Sequence, residues 1–349
     1  MSAGSDVAAP WVAQVTGLRA GAARRYRVVV LLLVAVVLLL VAVTVLWDVA
    51  PAEAVAHLQH LLGLGGDRSF AVRLRLPRAV LSVAVGVAFG LAGALFQVVL
   101  RNPLASPDII GVTGGASLAG AGAILLAGLT GAWVSLAAFG GAAVVAAAIL
   151  LLSWSGELSG YRFVLVGVGL AFVCQSGIGY LITRSQVDDV RSALVWMVGS
   201  IGTPTWGTIG ILAACLLLLL PLTGYAGWRL RAMQLGDETA AGLGVRVTRS
   251  RLLVLLVGVA LAAVATAVAG PVAFVAFMSA PIARRLLPAA GAALLPAALV
   301  GAVVVLAAEL VAEQLLTGLE VPVGIVTGVV GAPYLLWLLA TGTSRRTSR

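Results

Sequence analysis

Residues 28–47 read VVVLLLVAVVLLLVAVTVLW, an unbroken apolar run directly after Arg24, Arg25 and Arg27. At about 1.5 Å rise per residue, a helix of this length crosses a hydrocarbon core of about 30 Å. The run exceeds the roughly 7 to 15 apolar residues of a signal-peptide core, so it is expected to remain as a first membrane span. The arginines ahead of it put the N-terminus on the cytoplasmic side. The whole chain shares this character, with 61% hydrophobic and 10% charged residues in 349. A soluble domain carries about a quarter charged residues, so an all-α polytopic membrane protein is expected.

Outward from that run, apolar stretches cut by proline, glycine and charge predict helices over 76–100, 113–129, 132–154, 163–183, 206–222, 252–269, 272–287, 294–313 and 321–340. That makes ten spans with both termini inside, the third and eighth being short enough to cross only partway. The expected organisation is a cytoplasmic N-terminal segment (1–27), a transmembrane domain (28–341) containing a cytoplasmic segment (224–251), and a basic tail (342–349). The outer side then holds only Arg68, Arg73, Arg75, Arg78, Arg184 and Arg191; every other arginine lies inside. An error of one span early in the chain would scramble that bias. The cluster from Arg68 to Arg78 defies it, and two readings stand level: guanidinium groups snorkelling to membrane lipid, or a docking surface for an acidic soluble partner.

The 22 basic residues are all arginine. Their placement in short loops and tails makes the net charge of +9 a topology signal, with no nucleic-acid partner expected. Without lysine the chain cannot supply a Walker A loop, so any ATP-driven work must enter from another polypeptide. Cys174 and Cys215 sit in apolar runs with no CxxC, and His57 and His60 lack a carboxylate or thiol to complete a ligand set; no metal site is expected. No nucleophile–base or paired-carboxylate arrangement is present, which argues against an enzyme.

The longest charged interruption is 233–251, MQLGDETAAGLGVRVTRSR. Asp237, Glu238 and Thr239 suit a helix start and Gly242 and Gly244 its end, so two short helices joined by a turn are expected on the cytoplasmic side. Elsewhere, Pro103 and Pro107 forbid continuous helix after Asn102, and Gly270-Pro271 marks a second break. Gln97 and Gln175 suit either a translocation path or, more commonly, interhelical hydrogen bonding. Gly86 with Gly90, and Gly324 with Gly328, have the spacing for close helix approach. Glu309 and Glu313 lie at the outer end of the ninth span. An ion-coupled secondary transporter would want ionisable groups near the midplane, and the sequence offers few.

Several motifs together resemble the permeases of iron-siderophore and cobalamin ABC importers (FecCD type). They are Arg75-Leu76-Pro77-Arg78, Gly90-Leu91-Ala92-Gly93 with Gln97, Asn102-Pro103-Leu104-Ala105, Leu235-Gly236-Asp237 with Ala240 and Leu243-Gly244, Gly270-Pro271-Val272-Ala273-Phe274, and Gly331-Ala332-Pro333-Tyr334. The resemblance covers roughly 28–341 and leans toward the ferric-siderophore branch. It implies a type II importer permease fold in a bacterial cytoplasmic membrane. Its implied partners are a second permease subunit (a second copy or a paralogue), two ATPase subunits that bind ATP and Mg, and an extracytoplasmic substrate-binding protein. The permease itself would bind no cofactor. By the same resemblance, Leu235, Gly236, Asp237, Glu238, Ala240, Leu243 and Gly244 would form the ATPase-coupling segment, and Arg73, Arg75 and Arg78 the docking surface. Gln97, Asn102, Pro103 and Gln175 would line the path or pack helices. Two departures stand out: Pro281 is displaced by one place before Ile282-Ala283-Arg284, and Glu313 occupies a position where some members carry a docking arginine.

Overall fold

The computed structural model describes residues 8–47, 70–154, 160–288, 290–315 and 321–343. His57, His60, Arg68 and the basic tail beyond 343 lie outside them. The helices are α1 (Ala8–Leu46), α2 (Phe70–Val99), α3 (Val112–Ala127), α4 (Ala132–Ser153), α5 (Gly160–Arg184), α6 (Val187–Val198), α7 (Trp206–Met233), α8 (Asp237–Gly242), α9 (Val247–Ala269), α10 (Val275–Leu286), α11 (Leu294–Leu310) and α12 (Val323–Thr343). A π-helical turn, Val311–Leu315, continues α11.

Among the described residues, eight helices are long and apolar enough to cross a membrane. The two expected to be short are short: α3 has 16 residues and α10 has 12. Four expectations change. The N-terminal segment is already helical from Ala8, so α1 runs through Arg24–Arg27 without a break. Helix α7 passes Leu222 and continues to Met233 despite Pro221, so the first part of the 224–251 segment belongs to a long helix. Only one short helix, α8, lies in the charged segment, because the expected second one is the first turn of α9. Helix α6 was not expected at all; Asp188, Asp189 and Arg191 interrupt the apolar pattern there.

Burial is uneven. The most apolar windows of α2 and α9 are 78% and 72% buried, whereas those of α5, α7 and α12 are 17%, 28% and 22% buried. Helix α2 is the central post: α11, α9, α10, α1 and α7 all pack on it. Small residues allow the approach. A side chain at Gly86 or Gly90 would press into the backbone of Gly301 or Ala297 on α11, and one at Gly93 into the Ala276 carbonyl on α10. The second expected spacing is half right: Gly324 lies against the Val198 carbonyl, but Gly328 faces open space.

Where α9 breaks before α10, non-helical backbone lies deep in the bundle, a place where it survives only if protein encloses it. Glycines from three separate elements provide that enclosure. Gly199 lies on Pro271, Gly270 on the Trp196 carbonyl, and Gly331 of α12 on Phe274. Ser200 N donates to Ala269 O at 2.8 Å, and Gly324 N to Gly199 O at 3.1 Å. Phe274 is itself left-handed, with φ 64°.

Candidate functional site

The charged segment gathers at the end of the molecule where α2 terminates. Helix α7 stops at Met233, and Gly236 then adopts φ 108° and ψ 152°, a conformation essentially reserved for glycine, which turns the chain into α8. Gly244, at φ 81°, turns it out again toward α9. Between these hinges Ala240 is fully buried and Leu243 is 65% exposed, and Leu235, just before the first hinge, is 64% exposed. Glu238 is exposed as well. Two exposed apolar side chains thus flank a short polar helix.

Asp237 holds this helix to the bundle. Its Oδ1 accepts from Arg101 Nη2 at 2.8 Å and its Oδ2 from Arg251 Nη2 at 2.9 Å. The same Arg101 nitrogen donates to Met233 O at 3.1 Å, which covers a carbonyl at the end of α7. Arg101 lies just past α2 in a left-handed conformation, φ 51°, and Arg251 lies in the first turns of α9. Beneath them is a cavity of about 140 Å³ with an apolar floor of Val98, Val99, Leu230 and Met233 and a charged rim of Arg101, Asp237 and Arg251. The sequence placed all three charged residues on one side of the membrane but gave no sign that they meet.

The turn joining α2 to α3 belongs to the same end. Asn102 Oδ1 accepts from Leu104 N at 2.9 Å, and Asn102 N donates to Gln97 O at 3.1 Å, so Asn102 and Pro103 shape a turn. Gln97 is interhelical glue: its Nε2 donates to Phe277 O at 2.9 Å and its Oε1 accepts from Arg284, joining α2 to α10. Gln175 is exposed on α5.

Asp108, in that turn, was not foreseen. Both its oxygens are shut off from solvent. Burial pushes its carboxyl from 3.8 up to about 7; Thr113 favours the charged form but offsets only part of this. A folded-state value above the unfolded one means that ionisation opposes folding. The cost is absent below the unfolded value, grows as the pH rises, and is complete above about 7. Asp108→Asn should therefore stabilise the protein more at about pH 8 than at about pH 5, by about 2–3 kcal/mol, as read from thermal unfolding in detergent.

At the opposite end of α2, the outer arginines are differently placed. Arg78 Nη1 donates to Glu313 Oε1 in the π-helical turn, and the two side chains are 24% and 27% exposed. Glu309, one turn earlier and 5% exposed, is within electrostatic reach of both. Arg78 is therefore engaged inside the chain, which tells against an open docking role for it. Arg75 also has an interaction within the chain. The side chain of Arg73 lies outside the described residues. Among the described residues no group of His, Cys, Asp and Glu could hold a metal ion.

A model of the FecCD transport family matches residues 17–341. The Fe(3+)-citrate import system permease protein YfmE of Bacillus subtilis is 38% identical over 287 residues, covering 81% of this chain and 86% of that protein. The ferric enterobactin transport system permease protein FepG of Escherichia coli is 38% identical over 265 residues, covering 76% and 80%. The hemin transport system permease protein HmuU of Yersinia pestis is 32% identical over 308 residues, covering 86% and 88%. Among solved structures, an inward-facing conformation of a putative metal-chelate type ABC transporter aligns with a TM-score of 0.76 at 25% identity, over 90% of this chain and 99% of the other.

Proposed function

Since this chain belongs to the FecCD transport family, we propose that it carries a ferric chelate, of the siderophore or citrate class, inward across the cytoplasmic membrane of a bacterium. It is a multi-pass transport permease and not an enzyme. In the proposed assembly it pairs with a second permease, a copy or a paralogue, around a central path. Two ATPase subunits, which alone bind ATP and Mg, sit on the end that carries α8. A binding protein delivers cargo at the end that carries Arg73, Arg75 and Arg78, and lipid covers the exposed faces. ATP binding and hydrolysis would drive alternating access.

The observation that carries the ATPase-coupled reading is the geometry of 235–244. A short helix stands between two glycine hinges, is flanked by the exposed Leu235 and Leu243, and is tied back to the bundle through Asp237. A chain without lysine has no phosphate loop of its own, so such a surface is where a partner's work would enter. Reconstitution in vesicles with the ATPase and binding protein tests the proposal, using radioiron-labelled citrate, catecholate and hydroxamate complexes and hemin. ATP-dependent uptake of at least one is expected. Uptake driven by an ion gradient with no ATPase present would replace this reading with an ion-coupled secondary transporter.

Substitution at the hinges tests the coupling surface. A Cβ at Gly244 meets open space and one at Gly236 only ordinary contact with the Thr239 hydroxyl, at 3.9 Å, so Gly236→Trp and Gly244→Trp begin with no clash against the core. They force a side chain into positive φ and set an indole on the presented surface. Insertion is expected to survive, while ATP-driven uptake falls by about tenfold or more, since strain of about 1–3 kcal/mol would displace α8. Normal uptake in both variants would remove α8 from the coupling role.

A further inference from the structure

Resting on the ATPase-coupled reading above, we infer that Asp237 is a two-armed positioning residue that makes the coupling helix move the two most enclosed spans of the bundle, α2 through Arg101 and α9 through Arg251. The juxtaposition is specific. Of the eight apolar spans, α2 and α9 are the most deeply buried, at 78% and 72%, and these are the two whose ends its carboxylate grips. The other spans that α2 touches, including α11, α7 and α1, would then be moved through α2.

The geometry suits transmission better than support. The Asp237 and Arg101 side chains are 42% and 57% exposed, and a pair so open to solvent contributes little to stability. Arg251, 18% exposed, is held more firmly. A bidentate carboxylate shared between two guanidinium groups nevertheless fixes direction, because each arm meets its own oxygen at 2.8 or 2.9 Å. Arg101 adopts a left-handed backbone conformation that an arginine gains nothing from on its own, and in it the side chain reaches both Asp237 and the Met233 carbonyl. The residues joined are 136 and 14 positions apart in sequence, so neither link follows from chain connectivity.

Hydrogen exchange on the assembled permease–ATPase complex, with and without Mg, ATP and vanadate, tests the relay without need of cargo. In the parent complex, trapping the nucleotide should change exchange by at least about threefold over 234–246 and at the adjoining ends of α2 and α9. Asp237→Asn should confine the change to 234–246. Arg101→Gln should lose the change in α2 and keep it in α9, and Arg251→Gln should do the converse. Asp237→Glu, which keeps the charge on a longer arm, should restore part of the response, an outcome a merely structural role would not require. If the α2 and α9 responses persist in Asp237→Asn, or are missing from the parent complex, the inference is overturned. Failure of any ATPase to bind the parent chain would instead overturn the functional reading on which it rests.

Discussion

Gly93→Ala is expected to remove most of the correctly folded protein, although it adds only a methyl group. That methyl would meet the carbonyl oxygen and neighbouring backbone of Ala276 on α10, and neither can rotate away as a side chain can. Overpacking typically costs about 1–3 kcal/mol, and contact with backbone belongs at or above the top of that range. Helix α10 hangs from α2 at this point and through the Gln97–Phe277 hydrogen bond, so separating the helices would also disturb the buried polar link. The measurement is the yield of monodisperse protein in detergent together with its unfolding temperature. Gly328→Ala is the control: it faces open space and should be neutral. Equal behaviour of the two variants would mean that α2 and α10 do not approach as described.

The second large effect concerns the other end of α2. Arg78→Glu would replace the cation between Glu313 and the buried Glu309 with a third carboxylate. Breaking a fully buried ion pair costs about 3–5 kcal/mol; with both partners about one quarter exposed, about 2 kcal/mol is the appropriate expectation. The exchange variant, Arg78→Glu with Glu313→Arg, should recover most of that loss, and unfolding temperatures of the set of variants check it. Failure of the exchange to recover stability would mean that Arg78 acts mainly on something outside the chain. A clean docking assay should therefore use charge reversal at Arg75 and Arg73 and omit Arg78.

The spans were legible in the sequence because hydropathy acts over twenty residues at a time and survives small errors of boundary. Element ends were less legible. Pro221 looked like a stop, yet α7 continues past it to Met233. Helix α6 escaped because two acidic residues and an arginine in its first turns break the apolar run. The coupling segment itself was visible as charge among apolar residues, and its glycine hinges carry the positive φ values that their type permits. What binds it was not visible. Arg101 meets Asp237 across 136 residues and Arg78 meets Glu313 across 235, and no local pattern encodes either meeting. Glu313 was visible as a carboxylate at the outer end of a span and as a departure from a resemblance, and the structure gives it a partner. Gln97 could be read as path-lining or as packing from sequence, and its bonds to Phe277 and Arg284 are those of a packing residue.

The enclosed break between α9 and α10 bears on how such a chain can change over generations. At Gly199, Gly270, Gly324 and Gly331 even an alanine would strike neighbouring atoms, three of them backbone contacts, and two of these glycines also hold positive φ. Every single-base change that yields another amino acid at those codons therefore introduces a side chain where none fits, and compensation would need simultaneous changes in three helices. On the exposed faces of α5 and α12 one apolar residue can replace another without striking the rest of the chain. Mutational scanning should find these four sites intolerant while the exposed faces accept most apolar exchanges, so that the architecture is inherited through its empty positions more than through its filled ones.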